Sequence, residues 1–104
     1  MSLDVFVACA AAVTLPAQLP AEGAWKRFED RGNVWFANEH INEAWQLIVW
    51  LEDDPKARST FTLPAGKKHL VGFSLEGDSN KGLPLLEKTV DAITKSCDGV
   101  LLDT

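Results

Sequence analysis

One stretch of this sequence carries a helical period, and nearly all its other apolar segments alternate. Between Leu83 and Cys97, the residues Leu86, Val90, Ile93 and Cys97 fall at i, i+4, i+7 and i+11, a single stripe for burial. Lys88, Asp91 and Lys95 fall on the other side. Pro84 is tolerated in a first helical turn and so predicts where the helix starts, and Gly99 is placed to cap its end. A lone amphipathic helix can cover one face of a sheet. Whatever sheet the remaining residues form must therefore find other cover for its second face, or leave it open.

The alternating segments supply that sheet. Leu3 to Ala10 places Leu3, Val5, Val7 and Cys9 on one side and Asp4, Phe6, Ala8 and Ala10 on the other, with apolar residues on both. Two prolines limit Thr14 to Pro20 to a loop or one helical turn. Ala24 to Asn38 reads as a hairpin around Asp30-Arg31-Gly32-Asn33. A two-residue loop pairs Phe28 with Trp35 on one face, and places Trp25, Arg27, Val34 and Phe36 on the other. Glu39 to Glu43 is a polar break.

Ala44 to Glu52 alternates again, with Trp45, Leu47, Val49 and Leu51 against Gln46, Ile48 and Trp50. The β-formers Ile48, Val49 and Trp50 favour a strand over a short helix here. Asp53-Asp54-Pro55 ends it. Ser59 to Leu63 is expected as a strand, Pro64 to Gly66 as a turn, Lys68 to Glu76 as a strand and Gly77 to Gly82 as a loop. Val100 to Leu102 closes the chain as a short strand. The expectation is one α+β domain over residues 1–104: a mostly antiparallel sheet of about five to seven strands, with one main helix, Leu83–Cys97, packed on one face. The last strand, helix and strand should form a right-handed crossover.

Composition excludes several functions. A chain of 104 residues with 46% hydrophobic residues can bury a core within one domain. Its net charge of −5 argues against nucleic acid and against an anionic membrane surface. Val5 to Val13 is apolar, but no Lys or Arg precedes it and Asp4 stands at its start, so it reads as a strand rather than a signal. No apolar run reaches membrane-spanning length. A cytoplasmic location is expected. Cys9 and Cys97 both lie in apolar runs and read as two buried thiols.

No motif specifies catalysis. His40 and Glu43 are the only local pair with acid–base potential, and a solvated loop is the plainer reading of both. His69 follows two lysines. No spacing of His or Cys matches a metal site, and no nucleophile elbow is present. The loop Glu76 to Gly82 precedes a helix, where anions can bind, but it lacks a glycine-rich spacing and carries Glu76 and Asp78, which repel phosphate. Asp78, Ser79 or Asn80 reads as a helix cap. No cofactor is implied.

Two features point to a partner. The carboxylates Glu39, Glu43, Glu52, Asp53 and Asp54 flank the Trp45–Leu51 strand and would form an acidic patch if they met at one end of the sheet. Trp25, Trp35, Trp45 and Trp50 are many for this length, and tryptophan is enriched at interface hot spots.

The run Phe73-Ser74-Leu75-Glu76-Gly77, then Leu85 to Ile93, then Cys97 to Asp103, resembles the C-terminal part of small bacterial immunity proteins that neutralise polymorphic toxins. The resemblance covers the last third of the chain and implies a fold pattern and a cytoplasmic, toxin-covering role. It fixes no functional residue. The expected function is non-enzymatic binding of a protein, such as a basic toxin domain, through Trp25, Trp35, Trp45, Trp50, Glu39, Glu43, Glu52, Asp53 and Asp54. A homodimer is compatible with it. The alternatives are a ferredoxin-like regulatory domain with a small molecule at Gly77–Gly82, and a small enzyme using His40 and Glu43.

Overall fold

In the computed structural model, residues 2–20, 25–53 and 59–102 are described. Six strands form one antiparallel sheet: β1 (Ser2–Cys9), β2 (Trp25–Asp30), β3 (Asn33–His40), β4 (Trp45–Glu52), β5 (His69–Gly77) and β6 (Gly99–Leu102). Their order across the sheet is β2-β3-β4-β5-β1-β6. The helix α1 (Ser79–Ser96) lies over β4, β5, β1 and β6. Strands β5 and β6 both run antiparallel to β1, on either side of it, so α1 makes the crossover between them. The expected α+β class, strand number and single helical layer hold.

The hairpin register is the one the two-residue loop dictates. Phe28 pairs with Trp35 and Asp30 with Asn33. Arg31 and Gly32 have φ of 52° and 84°, the pair of positive angles of a type I′ turn, which glycine accepts without cost. Beyond Asn38 the strand continues to His40, so the polar break shrinks to a 3₁₀ turn, Ile41–Glu43, closed by Ala44 at φ 61°.

Alternation sorts the side chains onto two faces. The helix face carries Val7, Cys9, Leu47, Val49, Val71, Phe73 and Leu75, packed against Leu86, Ile93 and Cys97. Val13 and Leu19, with Leu15 beside them, extend this apolar layer from the β1–β2 connection. The buried stripe of α1 is Gly82, Leu86, Thr89 and Ile93, with Val90 partly buried at its margin. Thr89 satisfies its hydroxyl on the Leu85 carbonyl at 2.7 Å.

Four expectations need correction. The helix begins at Ser79, not Leu83, because Asp78 caps it and accepts from the Asn80 N–H at 3.2 Å. Pro84 therefore sits inside the helix, near enough to its start that the missing N–H deprives only the Asn80 carbonyl. The Gly77–Gly82 loop is consequently mostly helix. At the other end Asp98, at φ 51°, takes the left-handed position and Gly99 opens β6.

Ser59 to Leu63 is not a strand. Both edges of β4 are already taken by β3 and β5, and Phe61 instead lays its ring on Phe6, with centroids 4.6 Å apart. Finally, Cys9 and Cys97 are not free thiols but a disulfide, with Cα atoms 5.3 Å apart. Cys9 pairs with Gly99 across β1 and β6, so the helix end two residues earlier is brought beside it.

Candidate functional site

The four tryptophans divide two and two. Trp25 and Trp45 stand on the helix face. Trp25 gives its indole N–H to the Pro20 carbonyl at 2.9 Å. Trp45 is buried, donates to Glu43 Oε2 at 2.9 Å and stacks on His40 at 4.0 Å. Both pack against the core on that side, Trp45 buried and Trp25 partly buried.

Trp35 and Trp50 stand on the opposite face, which α1 does not touch. Trp35 is half-buried and stacked on Phe28, with centroids 5.7 Å apart and rings 9° from parallel. Trp50 pairs with Gly72, over which its indole lies: a Cβ there would strike the ring. The edge of Phe6 meets Trp50 at 5.9 Å. Two partly buried aromatic groups thus make up a band on this face, Phe28 with Trp35 and Phe6 with Trp50 and Phe61, one on each side of the point where the β3–β4 ladder ends.

The indole nitrogens sharpen the contrast. Trp50 donates to Glu52 Oε2 at 2.7 Å, which fixes the ring over Gly72. Among the described residues, Trp35 Nε1 meets no acceptor, and no fully buried side-chain polar atom lacks a partner. An indole N–H in water on a half-buried ring leaves both a donor and an apolar plane for a partner.

Beside this band the sheet opens. The ladder between β3 and β4 runs from His40–Trp45 to Phe36–Val49 and stops, although both strands continue. The parting strands leave a cleft of about 700 Å³, lined by Val34, Trp35, Ile48, Trp50, Leu51 and Glu52, with Leu15, Arg27 and Asp53 at its margins. A shallower one, about 360 Å³, lies at the other end of β4 around Ile41, Trp45 and Gly77.

The carboxylates do not gather into one patch. Glu39 and Glu43 flank the start of β4 and Glu52 and Asp53 its end, about 23 Å away along an eight-residue strand. Glu39 is held by Lys26 at 3.0 Å, and Glu43 by the Trp45 indole. Glu52 and Asp53 remain at the mouth of the larger cleft. Asp54 lies outside the described residues.

His40 and Glu43 take separate partners. His40 Nε2 bonds Asn38 Oδ1 at 2.7 Å, Asn38 itself being buried, while Glu43 accepts from the Trp45 indole. Of the Gly77–Gly82 segment, Gly77 lines the shallower cleft and residues 78–82 line neither. Among the described residues no three His, Cys, Asp or Glu side chains are placed to hold a metal, and no helix is long and apolar enough to cross a membrane.

Sequence reasoning missed Phe6, Phe28 and Phe61 as site residues. A signal existed for the first: Phe6 alternates onto the face opposite the helix stripe, as Trp50 does. No family model, curated protein or solved structure matches this chain.

Proposed function

We propose that this protein is a non-enzymatic binding module that engages a protein partner through the helix-free face of its sheet. The observation that carries this reading is the aromatic band itself. Phe28, Trp35, Trp50 and Phe6 remain partly exposed on a face where a stable monomer would gain by full cover, and interface hot spots concentrate such rings. Glu52 and Asp53 beside them, on a chain of net charge −5, favour a basic partner through complementary potential.

The resemblance of the last third to immunity proteins makes a basic toxin domain the partner of choice. The disulfide favours an oxidising compartment as the place where the two meet, in preference to the cytoplasm. The test is co-purification with any basic toxin-like protein that a neighbouring gene encodes, followed by calorimetry. A one-to-one complex is expected, weakened at least tenfold (about 1.4 kcal/mol) by Trp35→Ala and by Glu52→Lys with Asp53→Lys. Trp25→Phe should leave affinity unchanged. No complex, or one indifferent to the first two changes, contradicts the reading.

A further inference from the structure

We propose that the fork between β3 and β4 receives one extended segment of the partner, apolar at its centre and flanked by basic residues, as an added strand. This rests on the binding reading above and names the form of the partner.

Main-chain geometry carries the proposal. In a type I′ hairpin the residues flanking the loop, Asp30 and Asn33, exchange backbone hydrogen bonds. Successive residues of a strand direct their N–H and C=O to alternate neighbours. Asn33 and Trp35 therefore face β2, while Val34 and Phe36 face β4. Phe36 meets Val49, and the next facing pair would be Val34 with Leu51. The ladder stops before that pair forms. Past Phe36 and Val49 the main chains of Val34 and Leu51 are left outside the ladder, on opposite walls of the cleft. Leu51 is 43% exposed.

Main-chain groups left in this way are matched by another main chain rather than by a side chain, as in strand addition to a sheet edge. The outer edges of the sheet are poor alternatives. On β2, Lys26, Arg27, Glu29 and Asp30 are all charged, and β6 has only four residues; both are features that discourage edge pairing. The fork instead adjoins Trp35, Ile48 and Trp50, which would receive apolar side chains of the occupant. Its charge is set by Glu52 and Asp53, since Arg27 at the margin is already engaged by Glu29 at 3.4 Å. A basic side chain beside the apolar run satisfies those carboxylates.

The test uses the whole protein and a synthetic peptide, acetyl-Lys-Val-Thr-Ile-Thr-Val-Lys-amide, with a second peptide of the same sequence N-methylated at its three central residues. N-methylation removes backbone donors and leaves the protein unaltered, so folding defects do not intervene. Amide exchange is followed by NMR as each peptide is titrated. The expected result is at least tenfold slower exchange at the Val34 and Leu51 amides, with at least tenfold weaker binding of the methylated peptide. Binding that perturbs Trp35 and Trp50 without protecting Val34 and Leu51 overturns the fork and leaves the aromatic docking face standing. Absence of peptide binding at millimolar concentration also overturns the fork, while the docking face is judged separately by the partner titration.

Discussion

At the scale of the residue, what distinguishes the tryptophans is what each indole touches. Trp45 is closed in by His40, Glu43 and the core, whereas the Trp35 N–H, beside a stacked Phe28, meets no acceptor among the described residues. Their faces were legible from alternation. Which indole found an acceptor was not, because that depends on side-chain partners two to five residues away in geometries that composition does not reveal. Gly72 was legible in principle, since a glycine inside a strand marks a close approach, here of the Trp50 ring. Gly72→Ala is expected to displace that ring and destabilise the fold by about 1–3 kcal/mol, with a shift in tryptophan emission; unchanged emission and stability would contradict the packing. Ala44 stands exposed in a left-handed conformation that costs an ordinary residue about 1 kcal/mol. Ala44→Gly should raise the urea midpoint, and a fall would show that the turn gains more from the alanine than its backbone loses.

At the scale of the element, periodicity carried most of the fold. The hairpin register, the strand faces and the helical stripe followed from spacing alone. The helix start did not, because Pro84 suggested a first turn while the Asp78 cap lay eight residues before Leu86, where the apolar stripe begins. Asp78→Ala should cost about 1 kcal/mol, read as a lowered urea midpoint with unchanged slope; no loss would remove the cap from the account. The fork between β3 and β4 was equally invisible. Both strands alternate along their whole length, and nothing in their residues says where pairing stops. Ser59 to Leu63 misled for a related reason: its composition suits a strand, but β4 has no edge left for it to join.

At the scale of the whole molecule, the disulfide ties residues 88 apart in sequence, joining the end of β1 to the end of α1. A loop of that length corresponds to stabilisation on the order of 4 kcal/mol through the unfolded chain. Cys9→Ala with Cys97→Ala should therefore lower the unfolding free energy by several kcal/mol, and a loss below about 1 kcal/mol would contradict a structural role. The two sulfurs are joined, so protein denatured in iodoacetamide directly from cells should carry no label. Two labels would place it in a reducing compartment.

The pairing could not be read from sequence because it depends on β6 lying against β1, a matter of strand order. The general layout, one helix on one face of an antiparallel sheet, was readable, and it is that layout which leaves an aromatic face without a helix. The most direct measurement of whether that face is the working one is a proton–nitrogen spectrum of the four indole N–H groups during titration with the toxin-like partner. The signals of Trp35 and Trp50 should move while those of Trp25 and Trp45 stay in place; movement confined to Trp25 and Trp45, or a complex that moves none of the four, would contradict it.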